Sequence, residues 1–337
     1  MASAGALTAP RARYHETVDD PFFKTRGVVI YPEDLSLRDW PELAAKAGLS
    51  TIALHDGSAP SHIVSFLETD AGGQFLERCR RLGLQVEYEM HAMKELLPRA
   101  LFERDPSLFR MSEHGLRTPD ANLCVHSAQA LEIVAENAIR IGAGLRPTTG
   151  RFFFWGDDGA AWCRCPKCVG FSDSDQALLL ENHLVKALRT KGEFRDATLA
   201  HLAYANTISP PKQVKPGAGV FLEFAPIHRR YDLPYAEQKG HADGLDALDA
   251  NLAVFPRATA QALEYWLDMS RFSGWKRPVP AVPWHRDVFL RDLEAYASRG
   301  VRNITSFAAW IDADYRKNHP DLSFITEYGE GLRDVRR

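Results

Sequence analysis

The feature that most constrains this chain is an alternation. Short β-branched and aromatic runs are each followed by a stretch with apolar residues at helical spacing. Such a pattern builds parallel βαβ units, because a parallel crossover needs about a dozen residues and usually a helix. The first run is GVVIYP at 27–32. Leu43, Ala44 and Ala47 then give a helix face, with Asp39 and Glu42 at capping-box spacing and Gly48 placed to stop it. The series continues with STIALHD (50–56), LQVEYEMH (84–91), RFFFWGDD (151–158), TLAHLAYAN (198–206), GVFLEFAP (219–226) and RNITSFAAW (302–310), while the proline-rich PVPAVPW (278–284) is the candidate for the remaining strand.

Between these runs the spacing predicts a helix in two pieces broken at Gly72-Gly73. Further helices carry Leu131, Val134, Ala138 and Ile141, then Ala177, Leu180, Leu184 and Leu188 behind a capping box at Asp173 and Gln176. One more runs from about Pro256 through Trp266, and the last carries Phe289, Leu293 and Tyr296. The linker TISPPKQVKPGAG, between the fifth and sixth runs, holds three prolines and no helix pattern. Eight strands with intervening helices predict an α/β fold, an irregular (β/α)8 barrel of TIM type with long loops on its C-terminal face. One barrel over residues 25–330 accounts for the 337 residues, with residues 1–24 expected as a disordered lead. No basic segment followed by an apolar core opens the chain, so a cytoplasmic location is expected. The apolar runs are strand-sized, which argues against a membrane span. With 41 Lys+Arg against 44 Asp+Glu there is no basic field for nucleic acid.

A barrel of this kind keeps its active site where the strands end, so strand-final polar residues are the candidates. They are His55 and Asp56, Glu89 and His91, Asp157 and Asp158, Asn206, His228 and Arg229, and Trp310 and Asp312. The adjacent Asp157-Asp158 follows an aromatic run and precedes Gly159. Burial and a second carboxylate both raise a carboxyl pKa, which would let one of the pair act as general acid. Aromatics on the same loops, among them Trp155, Tyr204, Trp284 and Trp310, could pack on the apolar faces of sugar rings.

AWCRCPKC sets Cys163, Cys165 and Cys168 in a C-x-C-x2-C array. Thiolates so close together suit a structural zinc in a reducing compartment, and such a site needs a fourth ligand. Cys124 is the first candidate and His126 the second, while Cys79 lies on a helix face and reads as core. A zinc closed by four cysteines would brace the loop carrying the acid and would not activate water. No organic cofactor is implied.

MHAMKELLP, DPSLFRM, GLRTPDANLCVHS, WGDDGAAWCRCPKC, LAYANTISPP, FLEFAPIHR and FAAWIDADY, in that order, resemble the bacterial domain of unknown function 4838. That group lies among the glycosidase TIM barrels and includes glycoside hydrolase family 163, whose members are endo-β-N-acetylglucosaminidases. The resemblance spans roughly residues 27–328. It implies a retaining, substrate-assisted glycosidase acting on N-acetylhexosamine-containing glycans. Asp158 would be its general acid/base and Asp157 would orient the substrate's 2-acetamido group. His55, His91, Trp155, Tyr204, Asn206, His228, Arg229, Trp284, Trp310 and Asp312 would contact an oligosaccharide. The chain departs from the commoner Asp-Glu pair by having Asp second. Two alternatives stand beside this reading. One is a uronidase or hexosidase with an enzyme nucleophile, pairing Asp158 with Glu89 or Glu223, and the other is a non-catalytic sugar-binding barrel.

Overall fold

The computed structural model describes residues 21–57 and 59–336. Eight strands run in chain order: β1 (Thr25–Ile30), β2 (Thr51–Asp56), β3 (Gln85–His91), β4 (Arg151–Trp155), β5 (Thr198–Ala203), β6 (Val220–Phe224), β7 (Gln261–Glu264) and β8 (Asn303–Phe307). Each pairs in parallel with the next, and β8 pairs with β1, so the sheet closes. The expected (β/α)8 barrel is the observed fold. The first twenty residues of the expected lead lie outside the described residues, and its last residues join the fold, with Phe23 fully buried.

Helices wrap the barrel where the apolar spacing placed them. Helix Ala128–Leu145 buries Val134, Ala138 and Ile141, and its N-terminus is capped by Ser127, which accepts from the Ala130 amide. Helix Asp173–Arg189 is capped by Ser172 and Asp175, one residue upstream of the expected box. Gln176 is thereby freed to bond the backbone N–H and C=O of Cys163 at 3.1 Å each. Asp175 also explains how a crossover without a helix is held. Its Oδ1 accepts from the amides of Lys212, Gln213 and Val214 at 2.8–2.9 Å, pinning the proline-rich β5–β6 linker to this helix.

Three local expectations fail. The segment 256–266 is not a helix: Pro256 opens a turn, and Gln261–Glu264 is β7, buried on both faces as parallel-barrel strands are. Residues 278–284 form no ladder, and an unexpected helix, Leu245–Leu252, precedes β7. The helix pair after β2 breaks at Glu68 and Thr69, between Pro60–Leu67 and Asp70–Leu82, while Gly72 lies inside the second helix. A Cβ on Gly72 would come within 2.2 Å of the Phe66 carbonyl oxygen, so this glycine serves close packing of the two helices and not the break.

The barrel interior is polar in its lower half. Glu87 and Glu89 on β3, Glu223 on β6 and Gln261 on β7 are each at most 1% exposed. Arg151 on β4 bonds Glu87 at 3.2 Å and Gln261 at 2.6 Å, and Gln261 in turn donates to Glu223 at 2.8 Å and Glu89 at 3.3 Å. Burial raises the pKa of both Glu89 and Glu223.

Candidate active site and metal centre

Above this polar layer, the next inward positions converge at the barrel mouth. His55, one residue before the end of β2, touches Tyr31 after β1, Trp155 of β4 and Phe307 of β8, with ring centroids 5.0–5.7 Å apart. His91 ends β3 and sits 5.2 Å from Trp155 and 6.4 Å from Tyr204, while Tyr265 after β7 stacks on Phe307 at 5.3 Å. Trp155 closes the floor by donating Nε1–H to Glu223 at 2.7 Å. Glu89 and Glu223 therefore lie one layer beneath the mouth, two residues short of the positions that reach it. The alternative that pairs either of them with Asp158 on a substrate is corrected by this register.

The Asp pair divides at the turn after β4. Asp157 is drawn inward: Oδ2 takes the Arg99 guanidinium and the Asn122 amide, and Asn122 Oδ1 accepts from the Asp157 amide at 2.9 Å. Asp158 points out, its side chain 64% exposed, with Oδ1 3.7 Å from His91 Nε2. The burial expected for one member of the pair thus falls on Asp157, its side chain 8% exposed, and not on Asp158. A small cleft beside Asp157 is walled by Gly156, Gly159, Ala160, Trp162, Tyr204 and Asn206. Asn206 holds the turn by donating to the Gly159 carbonyl at 2.9 Å.

Sequence reasoning passed over three residues here. Tyr31 directly follows β1 and carries a polar hydroxyl, and the rule used for the other strands would have included it. Tyr265 was hidden by the helical reading of 256–266, and Asp268, two residues beyond it, lost with it the strand end that would have marked it. Burial and the carboxylates of Asp268, Asp34, Asp56 and Asp158 raise the Tyr31 pKa, so its hydroxyl keeps its proton.

Other expected contacts lie elsewhere. Arg229 is corrected outright: it is 1% exposed behind β7, its guanidinium bonding Glu264 at 3.1–3.2 Å and Asp292 at 2.7 Å, with Tyr231 and Tyr235 against its faces. Trp284 donates to Glu327 on the C-terminal helix at 2.8 Å and packs on Phe289. His228 is 70% exposed beside Asp243. Trp310 follows β8 with φ +67°, its amide held by Asp34 Oδ1 at 3.0 Å. Arg277 covers the Trp310 ring and bonds Asp312, which caps the helix Ala313–Asn318.

Cys124, Cys163, Cys165 and Cys168 are buried, with all four Sγ atoms within 4.8 Å of one another. Cys124 Sγ stands 3.8 Å from Cys165 Sγ and 3.9 Å from Cys168 Sγ. A tetrahedral ion with metal–sulfur bonds of about 2.3 Å requires edges of about 3.8 Å, so the cage fits a metal ion. The Met111 amide donates to Cys163 Sγ at 3.3 Å, and His126 Nδ1 lies 3.1 Å from Cys168 Sγ, behind the cage. Cys79 is buried apart from it. The cage ties the β4–β5 loop to the β3–β4 loop, whose Arg99 and Asn122 hold Asp157.

The closed barrel with its aromatic mouth places the protein in the TIM-barrel class that glycoside hydrolases share. Gan42B, a GH42 beta-galactosidase from G. stearothermophilus, superimposes with a TM-score of 0.54 at 11% identity, covering 93% of this chain and 57% of its own. ZgEngAGH5_4 gives 0.52 at 12%, covering 94% and 99%. The exo-beta-1,4-mannosidase Op5Man5 from Opitutaceae bacterium strain TAV5 gives 0.50 at 12%, covering 92% of this chain and 60% of that one. The chain thus spans well under two thirds of the galactosidase and of the mannosidase, and these likenesses establish the fold. The chain belongs to the family described as a domain of unknown function, DUF4838, whose model matches residues 63–328. A search of curated proteins returns no match. Among the described residues no helix is long and apolar enough to cross a membrane.

Proposed function

We propose that the protein is a glycosidase that cleaves N-acetylhexosamine-containing glycans with assistance from the substrate's acetamido group. The observation that carries this reading is the division of the Asp pair. Asp157 is held through Oδ2 by Arg99 and the Asn122 amide at the edge of a small, partly apolar cleft, and Asp158 is exposed at the mouth beside His91. Among the described residues no hydrogen bond reaches Asp157 Oδ1, which is left to accept the acetamido N–H.

The acetamido carbonyl oxygen then attacks the anomeric carbon as the glycosidic C–O bond breaks, and Asp158 passes its proton to the leaving oxygen. In the second half Asp158 takes a proton from water, which opens the cyclic intermediate with net retention. The four-cysteine cage is read as a zinc site. Four thiolates complete the ion's coordination, so it would brace the loop that carries both carboxylates.

A second reading gains support from Asp268, which follows β7, is 5% exposed and acts electrostatically on Tyr31 together with Asp158. In it Asp268 is an enzyme nucleophile on a sugar lacking the acetamido group. Mass-spectrometric product analysis separates the two, using wild type, Asp158→Asn and Asp268→Asn on N-acetylated glycans, uronides and plain hexosides. Cleavage confined to acetamido sugars, lost in Asp158→Asn and kept in Asp268→Asn, supports substrate assistance. Loss in Asp268→Asn with turnover of plain hexosides supports the enzyme nucleophile, and binding without cleavage supports the non-catalytic barrel.

A further inference from the structure

Two imidazoles in the mouth are locked into one tautomer by the strand backbone. His55 Nδ1 lies 2.6 Å from the Glu89 carbonyl oxygen, and His91 Nδ1 lies 2.6 Å from that of Gly156. A carbonyl only accepts, so each Nδ1 carries a proton and each Nε2 of the neutral ring presents a lone pair. Burial keeps the rings neutral, pulling His55 down to about 4 and His91 below its ordinary value.

Neither Nε2 has a hydrogen-bond partner among the described residues, and neither is sealed from solvent. The group facing His91 Nε2 is the Asp158 carboxyl, whose Oδ1 at 3.7 Å lies beyond hydrogen-bond reach. The surrounding charge is predominantly negative as well. Asp34, Asp56, Asp158 and Asp268 all act on the Tyr31 hydroxyl, Arg99 is committed to Asp157, and Arg277 to Asp312. Lys94 reaches His91 electrostatically, opposed by Asp157 and Asp158.

We propose that His55 and His91 are specificity residues: each Nε2 accepts a hydrogen bond from a hydroxyl of an uncharged sugar ring, and a ring carrying a carboxylate or sulfate is rejected. A hydroxyl supplies the donor that both nitrogens lack. An anionic group brings lone pairs and charge against lone pairs and carboxylates, and the cation that acts on His91, Lys94, is outweighed there by Asp158 and Asp157. This selection deepens the glycosidase reading and rests on it for the ligand class.

The test uses the full chain labelled with 15N-histidine, observed by NMR from pH 5.5 to 8 and titrated with three hydrolysis-resistant thioglycosides: the methyl 1-thio derivatives of N-acetyl-β-D-glucosaminide, β-D-glucoside and β-D-glucuronide. Signals are assigned by their loss in His55→Asn and His91→Asn, which keep a donor near the Nδ1 position and delete Nε2. His55→Gln and His91→Gln give the assignment should an asparagine variant not fold. Both histidines are expected as neutral Nδ1–H tautomers whose Nε2 resonances shift with a neutral glycoside and stay fixed with the glucuronide. Each asparagine variant that keeps a cooperative unfolding transition should bind the neutral glycoside about tenfold more weakly.

If the plain glucoside shifts them and the N-acetylated one does not, the selection stands and the hexosaminide reading falls. An imidazolium or Nε2–H form at pH 7, equal response to the glucuronide, unchanged affinity in the asparagine variants, or silence with all three probes overturns the selection.

Discussion

Arg229 offers a sharp test, because the sequence placed it at the substrate and the structure places it in the wall. Replacing it with methionine keeps the length of the side chain and removes the charge between Glu264 and Asp292, both 0% exposed. Breaking a buried ion pair by removing one partner costs about 3–5 kcal/mol, since the remaining charge is left uncompensated. At roughly 2 °C per kcal/mol for a chain of this size, the melting temperature should fall by about 6–10 °C. Burial already raises the Glu264 pKa with Arg229 in place. Without the arginine, the folded variant retains protons that its unfolded chain releases, so its stability rises as pH falls. Urea denaturation of wild type and Arg229→Met at pH 5 and pH 8 should therefore show the larger deficit at pH 8. Adding Glu264→Gln and Asp292→Asn should recover part of the loss, because both uncompensated charges are gone, while the one asparagine oxygen keeps only one of the two bonds that Asp292 accepts from Trp266 and the Tyr235 amide. A deficit below about 1 kcal/mol, or one equal at the two pH values, would refute the reasoning. A raised KM on a glycoside without loss of stability would return Arg229 to the substrate.

Elemental analysis of the purified chain should find one zinc per chain, and Cys165→Ser should lose it and melt earlier; a metal-free wild type of full stability would remove the metal reading. Asp34 is 1% exposed, and burial pushes its carboxyl up to about 7. Between pH 4 and 7 the unfolded chain ionises this group first, so wild type should lose on the order of 2–4 kcal/mol relative to Asp34→Asn across that window, and parallel stability curves would contradict it. Gly72→Ala should destabilise, since its Cβ meets the Phe66 carbonyl, whereas Gly73→Ala, with nothing within 4 Å, should stabilise by about 0.5–1 kcal/mol. Calorimetry that ranks the two the other way would discount the helix contact.

The barrel was legible because seven of its strands carry β-branched or aromatic runs between helical stripes. β7 was not, since QALE is four residues long with no β-branched side chain, and its buried faces give no alternation. PVPAVPW imitated a strand in composition alone. At the mouth, His55 and His91 were legible because one strand-end rule finds them, and Trp155 and Tyr204 because they are aromatics on the same loops. The rule fails for Arg229, because the chain after β6 folds back behind β7, and contacts with Glu264 and Asp292 35 and 63 residues away leave no trace in local spacing. Cys124 lies 39 residues before Cys163, so its place in the cage was a matter of counting thiols until the loops were seen to meet.

The polar plug inside the barrel bears on how the chain can assemble. Its bonds join the N-terminal four strands to the C-terminal four: Arg151 and Glu89 meet Gln261, and Trp155 meets Glu223. Cut between β4 and β5, one half would keep two glutamates and an arginine whose partner Gln261 is gone, and the other a glutamate stripped of its indole donor. Neither half could dry its inner face cheaply. These polar groups are satisfied only when the two halves meet, so a duplication or swap of half-barrels would have to carry its complementary polar set along.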